Sequence, residues 1–178
     1  MRKKYMILTV AMLLVCMFCC GCDGAKKQEG ELQISYLDKE QTKTVRVGYD
    51  PNADQTDTEL LVRELIDVLS TDSGDVDLVR PIPEGVQVTK TKLGQDGELK
   101  VYFNDAYHSI DAVPEILCRL ALVQTLTQVE GVKCLEFFVD GEPVEDTRGN
   151  EVGQMTPDDF YPIGVIGAID SVDEEGNI

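Results

Sequence analysis

Residues 110–141 constrain the fold most, because they contain a complete helix, a connection and a buried strand that ends in a turn. Asp111 is placed to cap the helix, and Pro114 falls in the first turn, where a missing N–H is tolerated. One apolar stripe at helical spacing is predicted to face a core, and it consists of Ile116, Leu117, Leu120, Val123 and Leu126 or Thr127. Gly131 is placed to end the helix, and the apolar run Cys134–Val139 predicts a strand that turns at Asp140-Gly141.

The residues before this stretch predict two hairpins and one more helix. Residues 32–37 and 45–49 alternate apolar and polar side chains, as the two strands of a hairpin do. Thr56 and Glu59 have the spacing of a capping box, which predicts a helix through about Leu69. Residues 86–93 and 98–103 flank a favoured hairpin turn at Asp96-Gly97.

The predicted element order is therefore β-β-α-β-β-α-β, with residues 143–144 as a short last strand. This order predicts an α+β domain: a small mixed, mostly antiparallel sheet of about five strands, with two helices on one face.

The N-terminus predicts export. Arg2, Lys3 and Lys4 precede an apolar run over residues 5–18 that is short for a membrane span, as in a signal peptide. Gly21-Cys22 resembles a bacterial lipoprotein cleavage site, in which the cysteine becomes the lipidated N-terminus, although Cys19 stands where an aliphatic residue is usual. Residues 1–21 are then a signal peptide, 22–31 a tether and 161–178 a tail. Ordinary secretion with cleavage elsewhere and an uncleaved anchor are the alternatives, and all three place the domain outside the cytoplasm.

The net negative charge of the chain argues against nucleic acid and anionic lipid as partners. The chain carries 33 acidic and 16 basic side chains, a net charge of −17. Cleavage before Cys22 removes three basic side chains, so 13 basic and 33 acidic groups remain, for a net charge of −20. Such a chain is unsuited to nucleic acid or to adhesion to anionic lipid. A covalent lipid at Cys22, or a partner, would have to hold it at the membrane.

No residue pattern predicts catalysis, a metal or a cofactor. His108 is the only histidine, which excludes a multi-histidine metal site. Residues 50–54 imitate the start of a calcium loop, but Gln55 and Leu61 replace the glycine and the closing glutamate that such a loop needs. Paired carboxylates remain open as a third, enzymatic hypothesis. Cys118 and Cys134 are either bridged or two small buried hydrophobic residues.

Eight short segments, taken in order, resemble the GerMN domain of sporulation and germination lipoproteins. They are Ile34-Ser-Tyr-Leu, Val45-Arg-Val, Ile82-Pro-Glu-Gly, Leu99-Lys-Val-Tyr-Phe, Thr125-Leu-Thr-Gln, Gly131-Val, Phe138-Val-Asp-Gly and Gly153-Gln-Met. The resemblance covers residues 32–160 and implies a compact module, like the ring-building domains of secretion machinery, that works by protein contact without catalysis. Some relatives carry two such domains, whereas this chain has room for one, which leaves homo-oligomer formation open.

The leading hypothesis is thus a lipid-anchored assembly module on the extracytoplasmic face of the membrane of a Gram-positive spore former, with an envelope protein as its partner. The alternative is a lipoprotein that binds the cell wall or a small ligand and has no sporulation role. That alternative requires a concave pocket with convergent polar groups.

Overall fold

The computed structural model describes residues 32–146 and 148–160, which form an α+β domain as predicted. The described helices are α1 (Thr58–Leu69) and α2 (Ala112–Leu126), with short 3-10 helices at Asp105–Ser109 and Pro157–Phe160. The strands are β1 (Leu32–Asp38), β2 (Thr44–Tyr49), β3 (Leu78–Val79), β4 (Val88–Leu93), β5 (Glu98–Phe103), β6 (Cys134–Val139) and β7 (Glu142–Pro143). The predicted order is confirmed, with the two-residue strand β3 as an unpredicted addition. The predicted signal peptide and tail lie outside the described residues, as does the tether.

The strands form two sheets, with the orders β2-β1-β3 and β4-β5-β6-β7, and not the one sheet expected from the element order. β1 is antiparallel to both of its neighbours, whereas β5 and β6 run parallel, so the second sheet is mixed as predicted. Both helices pack against β1. One hydrophobic core joins the elements, and it includes Ile34 of β1, Leu65 of α1, Val101 of β5, Leu122 of α2 and Phe137 of β6.

The second edge of β1 explains why the sheets stay separate. Gln128 donates from Nε2 to the carbonyl oxygen of Gln33 (2.8 Å), and its Oε1 accepts from the Gln33 N–H (3.0 Å). The hydroxyl of Thr125 accepts from the buried N–H of Ser35 (3.1 Å), and β3 pairs with Leu37 beyond it. Side chains of α2 and of the turn that follows it therefore occupy the position where a strand of the other sheet would otherwise pair.

Helix α2 differs from the predicted amphipathic helix in two respects. Residues 117–123 are all buried, including Arg119, whereas Ile116 of the predicted stripe is only half-buried. The helix has sheet, helix and C-terminal segment around it, so no side of this stretch faces water. It also ends at Leu126 and is capped by Thr127, while Gly131 adopts a positive φ of 89° in the turn that follows.

The turns of the second sheet need their glycines. Gly97 has φ 92°, and a Cβ there would lie 2.9 Å from the carbonyl oxygen of Gly131. Its own carbonyl accepts from the N–H of Lys133 (2.8 Å), which brings β6 alongside β5. Asp140 (φ 50°) and Gly141 (φ 93°) form the predicted turn, in the left-handed conformations of a tight hairpin.

Helix α1 begins one residue later than the capping box indicated. Asp57, and not Thr56, is the N-cap, and its carboxylate accepts from the N–H of Leu60 (3.1 Å). On the same helix Glu64 accepts from Tyr49 Oη (2.6 Å) and from the N–H groups of Asn52 (2.7 Å) and Ala53 (2.6 Å). These bonds lower the pKa of Glu64, and burial together with Glu64 raises the pKa of Tyr49 to about 12. Glu64 thus holds the chain between β2 and α1.

Removing the hydroxyl of Thr125 should destabilise the domain without changing its shape. Thr125→Val leaves the buried N–H of Ser35 without an acceptor, which should cost about 1–3 kcal/mol of unfolding free energy in chemical denaturation. Ser35→Ala is the matched control, because the Ser35 hydroxyl is buried and has no partner among the described residues. The control should be neutral or stabilising, and equal losses in the two variants would contradict this role of Thr125.

Glu64→Gln should lower stability at neutral pH by about 1 kcal/mol, because charge-assisted hydrogen bonds to the loop are weakened. The folded pKa of Glu64 lies below its ordinary value of 4.5. Its contribution is therefore complete above that value and disappears as pH falls through the folded pKa. In thermal melts, the wild-type protein should melt at a higher temperature than Glu64→Gln at neutral pH. This difference should disappear only at acidic pH, below the ordinary pKa of glutamate. A gap that stays constant down to pH ~2 would contradict this assignment.

Candidate functional site

A concave groove of about 660 Å³ lies between the start of α2 and the β6–β7 hairpin. We call it the hairpin groove. The 3-10 helix and the first turns of α2 form one wall, and residues 139–146 form the other. Its apolar lining consists of Ile110, Ala112, Ile116, Val139, Pro143 and Val144. It is the kind of concave surface that the ligand-binding alternative requires.

An ion pair with a tyrosine forms the floor of the hairpin groove. Arg119 contacts Glu115, one turn earlier on α2, through Nε and Oε1 (2.7 Å) and through Nη2 and Oε2 (2.8 Å). The Nε contact is close but is not directed as a hydrogen bond, and Nη1 has only the sulfur of Met155 as its partner (3.4 Å). Tyr107 donates its hydroxyl to Glu115 Oε1 (2.5 Å). Arg119 is therefore neutralised, yet two of its nitrogens have weak partners.

Burial fixes the protonation of this floor. It raises the pKa of Tyr107, which is only 3% exposed, and the neighbouring Cys118 and Glu115 raise it further. Burial by itself would lower the pKa of Arg119, but the hydrogen bond and charge of Glu115 raise it overall. At neutral pH Tyr107 therefore stays a hydrogen-bond donor and Arg119 stays charged. This makes the floor a fixed polar structure and not an acid or base that exchanges protons with a substrate.

The rim of the hairpin groove is acidic. Asp140, Glu142, Glu145 and Asp146 line it along the hairpin side, and all four are exposed. Asp146 accepts from the N–H groups of Arg148 (2.8 Å) and Asn150 (3.0 Å), which lowers its pKa and holds the following turn. None of the described cationic side chains forms an ion pair with the other three.

The outer edge of β2 is a second accessible surface. Because Gln33 and Ser35 bond away from β2, the pairs that join β1 to β2 are Ile34 with Val47 and their alternate neighbours. The backbone groups of Arg46 and Gly48 therefore point outward. They have no hydrogen-bond partner among the described residues, and both residues are exposed. This edge can accept another strand.

Lysines and aromatic rings lie together on the outer face of the second sheet, a cluster that was not predicted from the sequence. Tyr102 stacks on Phe138 (centroids 4.8 Å apart), with the Nζ atoms of Lys90 and Lys92 at 5.8 and 6.0 Å from its ring. Lys100 lies over Phe138 and pairs with Glu136 (2.9 Å). The sequence does place Lys90 and Lys92 at alternate positions of one strand, and Lys100 and Tyr102 at alternate positions of the next. Only the pairing of the strands, however, brings these residues together. This face therefore carries a small cluster of lysines, although the domain as a whole is acidic.

The residues of the calcium-like stretch and His108 lie in separate places in the structure, whereas several carboxylates do line one groove. Asn52, in the calcium-like stretch, is bound to Glu64 instead of facing a shared centre. No group of metal-ligating side chains occurs within residues 32–146 and 148–160. His108 lines the hairpin groove, but Ser109 donates its hydroxyl to the Ala106 carbonyl (2.6 Å) and not to His108. The carboxylate of Asp159 accepts from the N–H (2.6 Å) and the hydroxyl (2.8 Å) of Thr156, at the start of the second 3-10 helix.

Cys118 and Cys134 do not form the disulfide that the sequence left open. The predicted lipid site Cys22 lies outside the described residues. Cys118 is buried and Cys134 half-buried, and both are free thiols. Burial raises the pKa of Cys118 to about 12, which suits a small core residue better than a nucleophile. Within the described part of the chain, neither helix has the length and apolar character of a membrane span.

Comparison with known proteins identifies the family. The model of the family described as "Germane: Sporulation and spore germination" matches residues 33–145, more than half of the chain. No curated protein matches the sequence.

Solved structures match this chain at low sequence identity, and two of them, with TM-scores of 0.57, share its fold. The tandem GerMN domains of the sporulation protein GerM from Bacillus subtilis match with TM-score 0.57 and 15% identity, over 72% of this chain and 46% of that one. The first GerMN domain of the same protein matches with TM-score 0.57 and 13% identity, over 71% and 96%. A putative lipoprotein from Clostridium perfringens matches with TM-score 0.47 and 18% identity, over 73% and 90%. The described residues thus cover less than half of the tandem-domain chain, and correspond to one GerMN domain. The chain therefore belongs to the Germane family of sporulation and spore germination, and its described domain has the GerMN fold.

Proposed function

We propose that this protein is a lipid-anchored, extracytoplasmic contact module of the sporulation or germination machinery, without catalysis, and that Cys22 carries the lipid. Membership of the Germane family supports a role in sporulation or germination. The predicted signal peptide and the Gly21-Cys22 pair support a lipid anchor at Cys22. Net negative charge gives the domain no other evident means of holding to an anionic membrane.

The open edge of β2 is the observation that carries the contact role. Six residues of β2 lie at the end of the first sheet, with the backbone of Arg46 and Gly48 exposed. A strand of a partner protein can add to such an edge through main-chain hydrogen bonds, and its side chains then supply the specificity. Val47, which is 38% exposed, offers an apolar contact beside this edge.

The anchor is tested by Cys22→Ala. The variant should lose lipid labelling and move from the membrane to the soluble or unprocessed fraction, because the cysteine thiol is the attachment site. Cys20→Ala, two residues away, is the matched control and should remain labelled and bound. Fractionation with a lipid-precursor label measures both. Normal processing and membrane retention of Cys22→Ala would refute the anchor.

The edge is tested by comparing Arg46→Pro with Arg46→Ala. Proline removes the outward N–H and is tolerated at an edge strand, whereas alanine removes only the side chain. Full-length protein should retain its envelope partner with Arg46→Ala and lose roughly tenfold or more of it with Arg46→Pro, if strand addition makes the contact. The measurement is recovery from detergent-solubilised membranes of growing and sporulating cells, with purified peptidoglycan as a separate bait.

Circular dichroism and thermal melts establish that both variants are folded. Equal recovery with proline and alanine would remove β2 as the contact edge. Recovery on peptidoglycan alone would replace the protein-contact role with wall binding.

A further inference from the structure

We propose that the hairpin groove binds an extended segment of a partner protein that carries alternating basic and apolar residues. No residue of β2 lines the hairpin groove. The inference therefore concerns a second binding site and stands whether or not the β2 edge pairs with a strand.

The charge of the groove lining indicates that its occupant is a cation. Glu115 and Arg119 neutralise each other on the floor, and Tyr107 beside them stays protonated and uncharged. The other titratable groups of the lining are the rim carboxylates and the exposed His108. Asp140, Glu142 and Glu145 are exposed and have no ion-pair partner among the described residues. An anion would be repelled by this rim, whereas a cation would be attracted. These carboxylates are distributed over six consecutive residues of a hairpin, so an occupant with several cations complements them better than one ammonium group does.

The walls require that the occupant is also apolar. Six apolar residues line the hairpin groove, among them Ile116 from α2 and Pro143 and Val144 from the hairpin side. Its volume of about 660 Å³ falls in the range of sites that enclose a ligand or several side chains. Burial of valine or leucine side chains against these walls would supply affinity that charge alone does not.

The floor points to a peptide and not to a simple amine. Arg119 is only 7% exposed, yet its Nη1 contacts only a thioether and its Nε has no well-directed hydrogen bond. Nε is fully buried, but an oxygen acceptor in the groove would give Nη1 a stronger hydrogen bond than the thioether does. The carbonyl groups of a peptide provide such acceptors between its cations, whereas an alkyl diamine provides none.

The test uses full-length protein in a nonionic detergent and the labelled peptide acetyl-KVKVKV-amide, with fluorescence anisotropy as the readout. Acetyl-EVEVEV-amide is the charge control, and 1,5-diaminopentane is a competitor without carbonyl groups. The basic peptide should bind, its affinity should fall with added salt, and neither the acidic peptide nor the diamine should match it.

Charge reversal locates the site. Glu142→Lys combined with Glu145→Lys should weaken binding of the basic peptide roughly tenfold or more. The matched control combines Glu40→Lys with Glu130→Lys, two exposed acids outside the groove lining with the same change in net charge. It should weaken binding by less than about half as much on the logarithmic scale, because only the long-range charge changes. Thermal melts check that both double variants are folded.

Four results would overturn the proposal. They are no binding of the basic peptide, equal binding of the acidic one, equal weakening by the two double variants, and equal affinity for the diamine. The last of these would indicate a small-cation site in place of a peptide groove.

Discussion

The hydrogen bonds from Thr125 and Gln128 to the edge of β1 are the interaction on which the arrangement of the domain depends. Thr125 supplies the acceptor for the buried N–H of Ser35, which would otherwise stay unpaired at a cost of about 1–3 kcal/mol. Gln128 pairs with both backbone groups of the exposed Gln33, 95 residues away in the chain, and continues the contact along the same edge. Because α2 and the turn after it supply these partners, β1 can lie within the domain without joining the second sheet. The segment Thr125-Leu-Thr-Gln, one of the family-like motifs, thus has a structural role.

Local rules predicted most elements, because each rule concerns residues that are adjacent in the chain. Alternation located β1 and β2, the Asp96-Gly97 turn located β4 and β5, and Asp140-Gly141 forms the expected turn after β6. The errors occur where distant residues decide the outcome. A polar glutamine just after a helix gives no sign that it will pair with a strand edge, so the division into two sheets was not foreseen. Likewise β3 forms two residues of strand only because β1 offers it an edge.

The hairpin groove was less predictable than the fold, because its two walls come from segments that meet only after β6 pairs with β5. One signal was available in the sequence. Glu115 and Arg119 are four residues apart, and Arg119 interrupts an otherwise apolar run in α2. A charged residue in such a position is buried only with a partner. The acidic residues after β6 carried no signal, since exposed carboxylates are common throughout this chain.

Helix α2 connects the buried edge of β1 with the hairpin groove. Its last turn and the residues just after it bind β1, and its first turns carry Glu115, Ile116 and Arg119 into the hairpin groove. A helix that is buried along residues 117–123 cannot shift without disturbing the core on every side. The hairpin groove therefore has one rigid wall, and a ligand would bind without reorganising it. The opposite wall is a hairpin held by the two-residue strand β7 and by the turn at Asp146. Adjustment to different partner segments is accordingly expected on the hairpin side, where the rim carboxylates lie.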